Sequence, residues 1–66
     1  MRDGDPTVSL PNVICKRETD AALLCEIKGE DLWIPKSQIS DDSEVFEDGG
    51  QGTLIVSEWI ALQKGL

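Results

Sequence analysis

No histidine occurs in the 66 residues of the chain. Its absence removes the imidazole base of most nucleophilic triads and the usual ligand of catalytic metal sites. Cysteine is nearly as scarce, with Cys15 and Cys25 only and no C-x-x-C spacing. A structural zinc ion takes about four thiolate or imidazole ligands, so one copy of the chain cannot supply them. A run of about 18 apolar residues, as a spanning helix needs, is also missing, and Met1 to Thr7 lack the apolar core of a secretory signal. The expectation is a soluble, cytoplasmic protein with no membrane partner. There the two thiols stay reduced and pack as small buried hydrophobes; export would instead permit a cross-strand disulfide.

Positive charge is in short supply as well. Six basic residues against thirteen acidic ones give 6 − 13 = −7, which opposes direct binding to double-stranded nucleic acid or to anionic membranes. Lys16, Arg17, Lys28 and Lys36 fall in the first two-thirds of the chain, whereas Asp41, Asp42, Glu44, Glu47 and Asp48 form one acidic segment. Catalytic carboxylate pairs need a cleft that raises one pKa, and these five sit in a hydrophilic stretch beside glycines. The plain reading is a solvated acidic loop. An EF-hand calcium loop fails too, because the position that requires glycine holds Glu47. No cofactor and no metal is expected.

What the sequence does hold is short apolar runs between turn residues. A chain of this length makes one domain that buries only roughly 60% of its unfolded surface. Residues 1–7, with Gly4 and Pro6, read as a flexible leader and residues 8–66 as a single small β-rich domain. Pro11 interrupts the first apolar run, so the pattern predicts a strand over about 13–17. A second strand follows over 21–27, and a hairpin centred near Thr19-Asp20 brings Cys15 opposite Cys25. Lys28-Gly29 is a two-residue hairpin turn, since glycine reaches positive φ without steric cost. Leu32-Trp33-Ile34 is the next strand, ended by Pro35. With Leu23, Cys25 and Ile27 on one face, Leu32 and Ile34 share it and Trp33 points away, partly exposed. The opposite register buries Trp33 in place of the two aliphatics.

Lys36-Ser37-Gln38 leads away as a turn before Ile39. Val45-Phe46 and Thr53 to Val56 read as two strands of a third hairpin around the glycine-rich residues 48–52. Those glycines lack the lysine and following helix of a phosphate loop. Ser57 is an N-cap and Glu58 suits the start of a helix over 58–64 that ends at Lys64-Gly65. Trp59 and Leu62, with Ile60 beside them, are its expected docking side. The fold class is therefore mainly β (α+β): a small antiparallel meander or an SH3-like or OB-like half-barrel with a short C-terminal helix.

The run Leu32-Trp33-Ile34-Pro35-Lys36-Ser37-Gln38-Ile39, with Gly52-Thr53-Leu54 and Ser57-Glu58-Trp59 downstream, resembles a group of small uncharacterised phage and prophage proteins over about residues 15–66. The resemblance implies a phage or mobile-element setting, hence the host cytoplasm, and brings no catalytic residue with it. The function expected is that of a non-enzymatic protein-binding module, such as a phage accessory factor or an inhibitor of a host protein. Its partner, a host or phage protein with a basic surface, would meet Trp33, Lys36, Asp41, Asp42, Glu44, Glu47 and Asp48. One variant is a nucleic-acid mimic, with the carboxylates in a basic groove. Two alternatives stand beside it: a single-stranded nucleic-acid binder stacking bases on Trp33 beside Lys16, Arg17, Lys28 and Lys36, and a structural homodimer pairing open sheet edges.

Overall fold

The computed structural model describes residues 6–66. It contains the strands β1 (Thr7–Glu18), β2 (Ala22–Ile27), β3 (Glu30–Pro35) and β4 (Gln51–Ser57), followed by the helix α1 (Glu58–Gln63). They form one antiparallel sheet in the order β3-β2-β1-β4. The fold is mainly β with one short helix. A 3-10 turn at Lys36–Gln38 follows β3, and Ile39 then bridges Val56 of β4, so the chain leaving one edge of the sheet reaches the other. The sheet itself stays open, with β3 and β4 at its two edges.

The hairpins at the centre follow from local chemistry. Lys28 (φ 53°) and Gly29 (φ 82°) both adopt the left-handed region that a two-residue turn of this hand demands. Ile27 therefore pairs with Glu30, Leu24 with Trp33 and Leu23 with Ile34. Alternation puts Leu23, Cys25, Ile27 and Ile34 in the core, while Trp33 stands on the outer face, 43% exposed. Thr19 closes the β1–β2 hairpin: its N–H donates to the Ala22 carbonyl at 2.8 Å, and its Oγ1 accepts from the Ala22 N–H at 3.0 Å. Cys15 pairs with Cys25, as the sequence predicts, and both thiols are free. The Cys15 backbone bonds away from β2, to Gly50 and Gly49. The cysteines thus occupy a non-hydrogen-bonded position, where opposing side chains lie closest.

Several expectations are corrected. β1 begins at Thr7 and runs through Pro11 without breaking. The register against β4 shifts between Leu10 and Val13, a bulge in which Pro11 needs no N–H partner and Asn12 takes φ 57°. Of the expected leader, residues 1–5 lie outside the described residues; the Pro6 carbonyl accepts from the Glu58 N–H at 3.0 Å. Val45-Phe46 is not a strand and the third hairpin does not form: β4 pairs with β1 along one edge, and residues 40–44 take the other. Gln51 and Gly52 belong to that strand and not to the loop before it.

At the helix, the caps are as the sequence predicts. Ser57 Oγ accepts from the Ile60 N–H at 3.2 Å. Gly65 (φ 72°) ends the helix with its N–H on the Leu62 carbonyl and the Leu66 N–H on the Ala61 carbonyl, the paired bonds of a Schellman motif. The docking side differs: Ile60 and Ala61 are buried, whereas Trp59 and Leu62 are 59% and 70% exposed. With fewer than two turns, only the residues facing Pro6 and β4 reach the sheet.

Candidate protein-binding surface

The acidic segment is built onto the outer edge of β4. Strand parity directs the backbone groups of Thr53 and Ile55 away from β1. All four are taken by the segment after the 3-10 turn. The Ser40 N–H donates to the Ile55 carbonyl at 2.8 Å and the Glu44 N–H to the Thr53 carbonyl at 2.9 Å. Side chains supply the other two: the Ile55 N–H donates to Ser43 Oγ at 3.1 Å and the Thr53 N–H to Glu44 Oε1 at 2.9 Å. Ser43 Oγ, itself buried, also accepts from the Val45 N–H at 3.2 Å and donates to the Val45 carbonyl at 2.9 Å. A serine hydroxyl and a glutamate carboxylate thus stand where a neighbouring strand would place its carbonyls. Gly52 is required beside them, because a Cβ there would meet the Glu44 carboxylate at 3.0 Å and its backbone has φ 136°.

Two different jobs emerge within one charged stretch. Glu44 is a structural acceptor, and Val45 is fully buried beneath it. Asp41, Asp42, Glu47 and Asp48 are exposed, and none has an ion pair among the described residues. Phe46 follows the buried Val45 and so turns outward, 61% exposed. It lines a shallow depression of about 340 Å³ with Lys36, Ile39, Ser40 and Asp41. The sequence reading missed Phe46 and Ser43; an aromatic flanked by Glu44, Glu47 and Asp48 was the available signal for the first.

Lys36 adds little positive charge to the depression. Its Nζ lies 2.6 Å from Glu18 Oε2, and Glu18 Oε1 accepts from the Asp48 N–H at 3.2 Å. Glu18 therefore ties the end of β1 to the 3-10 turn that precedes the acidic segment and to Asp48 at the segment's far end. The Lys36 ammonium, helped by that backbone bond, holds the Glu18 carboxyl below its ordinary value. Trp33 lies apart, on the outer face opposite Leu24, and does not line the depression. The seven expected contact residues are therefore split: Lys36 and Asp41 meet at the depression, Glu44 serves the edge and Trp33 belongs to the other edge of the sheet.

Two of the four cations expected to flank Trp33, Lys16 and Lys36, are already paired. Lys16 Nζ lies 3.0 Å from Asp31 and 3.6 Å from Glu26, and the bond to Asp31 raises its pKa. Of the four, Arg17 and Lys28 alone have no ion pair among the described residues. Burial raises the Cys15 thiol pKa and pushes that of Cys25 up to about 12, which leaves neither a ready nucleophile. Among the described residues no three of Cys, Asp and Glu gather as metal ligands, and no helix is long and apolar enough to cross a membrane. Comparison with protein-family models, with curated proteins and with solved structures yields no match.

Proposed function

We propose that the chain is a non-enzymatic protein-binding module whose contact surface is the acidic segment beside β4. Phe46 is its apolar anchor, and Asp41, Asp42 and Glu47 form a charged rim for a partner with a basic surface. The observation that carries this reading is Phe46 itself: a large aromatic held in water on a segment pinned by Ser43 and Glu44, between carboxylates without internal counter-charges. An anchor fixed in advance loses little entropy on binding, and unpaired carboxylates steer a basic partner toward it. The resemblance to phage proteins would make that partner a host protein and the outcome inhibition or recruitment. The nucleic-acid reading loses support from Lys16 and Lys36, whose charges are already matched by Asp31, Glu26 and Glu18.

The experiment is capture from host lysate on the immobilised chain, with Phe46→Ser beside it. A protein retained by the native chain, lost with Phe46→Ser and released by moderate salt supports the reading. Equal retention by both forms removes the anchor from it.

A further inference from the structure

The two edges of the sheet end differently. β4 is covered by residues 40–44, as described, whereas β3 carries no such cover among the described residues. Because Lys28-Gly29 is a two-residue turn, Ile27 and Glu30 exchange both backbone bonds and the pattern alternates from there. Residues 30, 32 and 34 bond to β2, and the Lys36 N–H on the Ala21 carbonyl at 2.8 Å keeps the same phase. Asp31 and Trp33 then point their N–H and C=O groups outward, and neither backbone has a partner among the described residues. Natural edges are usually blunted by proline or charge. Here Pro35 blunts only the last position, and the Asp31 carboxylate is turned toward Lys16 at 3.0 Å.

We infer that β3 is the interface of a symmetric dimer, in which two copies of this chain pair their β3 strands antiparallel about a two-fold axis through Trp33. The choice of occupant and register comes from the charges along the strand. A two-fold axis at Asp31 would oppose that carboxylate to its own copy. An axis at Leu32 would set the Glu30 carboxylate against Ile34. An axis at Trp33 brings no like charges face to face: it opposes Asp31 to Pro35 and Leu32 to Ile34, with the two Trp33 rings adjacent on the outer face, while Lys36, in the 3-10 turn beyond β3, stays with Glu18 of its own copy. In that register the two Trp33 residues exchange a pair of backbone bonds, and each Asp31 N–H donates to the Pro35 carbonyl of the other copy. The missing N–H of Pro35 faces the one position where it is not needed for the central pair. Leu32, only half-buried at the rim of the core, is covered as well. Each copy carries −7, so added salt strengthens the association by screening the long-range repulsion.

Sedimentation and amide hydrogen exchange on the same samples, from micromolar to millimolar chain, test this. The expected result is a mass rising from 7.2 kDa to twice that, more readily at high salt. The Asp31 and Trp33 amides slow as the dimer forms, while that of the exposed Asp20 does not. Trp33→Lys sets two ammonium groups against each other on the two-fold axis and weakens the dimer about tenfold. Trp33 stands 43% exposed on the outer face, so the variant keeps its fold, which its circular dichroism verifies. A chain that stays monomeric throughout overturns the proposal. So does a dimer in which the Asp31 and Trp33 amides exchange as fast as in the monomer, or one that Trp33→Lys leaves untouched.

Discussion

Removing one hydroxyl should uncover the β4 edge. Ser43→Ala deletes an oxygen that accepts from the Val45 N–H at 3.2 Å and the Ile55 N–H at 3.1 Å. It leaves both donors without a partner. The Val45 site is buried and the Ile55 site partly so. A buried donor left unpaired costs about 1–3 kcal/mol, so the pair together costs about 2–4 kcal/mol once the partial exposure of Ile55 is allowed for. A chain of this size has roughly 3–10 kcal/mol in total, at about 0.05–0.15 kcal/mol per residue. The substitution therefore removes a large share of the stability and lowers Tm by about 15–30 °C. Far-UV circular dichroism through urea and heat reads it, with Asp42→Asn as a control that stays within about 0.5 kcal/mol, as exposed sites do. A loss below about 0.5 kcal/mol for Ser43→Ala would refute the edge-cover reasoning, because water would then be serving both donors.

Further outcomes follow from other parts of the molecule. Lys28 holds a left-handed backbone that asparagine tolerates better, so Lys28→Asn should raise stability by about 0.5 kcal/mol in urea unfolding; a loss would contradict the turn assignment. Glu18, with its carboxyl pKa lowered by Lys36, contributes stability that is present above the unfolded pKa near 4.5 and is lost as pH falls through the lower folded value. Unfolding of Glu18→Gln should accordingly match the native chain at the acid end of that window and fall below it at neutral pH, and parallel curves would count against the pair. Cys25 behaves in the opposite sense: with its thiol pushed up to about 12, stability holds below the unfolded pKa near 9 and declines at more alkaline pH. Thiol labelling at pH 8 should proceed only through opening of the fold, at a rate that rises with urea, and rapid labelling of the native chain would show the pair to be accessible.

The sheet was legible where its determinants are neighbours in sequence. Lys28-Gly29 announces its hairpin through backbone conformation, and alternation from that turn fixes the outward place of Trp33; the turn at Thr19-Asp20 does the same for the Cys15–Cys25 pairing. Legibility fails where the partner is distant. Val45-Phe46 and Thr53 to Val56 look like a hairpin because a local reading offers β4 no other neighbour, yet β1 takes it from the opposite end of the chain. Pro11 misled for a related reason: a missing N–H ends a strand only where a partner needs it, and at the bulge with Asn12 none does. Trp59 was placed in the core on its apolar bulk, whereas a helix as short as α1 seats Ile60 and Ala61 and leaves its neighbours in water. At the candidate surface the acidic composition was plain. The division between Glu44 and its neighbours was not, since a carboxylate accepting from Thr53 reads in sequence like any other acidic residue.

The central claim is that one acidic segment does two separable things, closing the β4 edge through Ser43 and Glu44 and binding a basic partner through Phe46, Asp41, Asp42 and Glu47. Its most direct test is the affinity of the captured partner for the native chain and for the combined variant Asp41→Asn, Asp42→Asn, Glu47→Gln, measured at low and high salt with unfolding followed in parallel. The account predicts unchanged unfolding, at least about tenfold weaker binding at low salt, and a difference that shrinks as salt rises. Equal affinity of the two forms at low salt, with the fold intact, would contradict it.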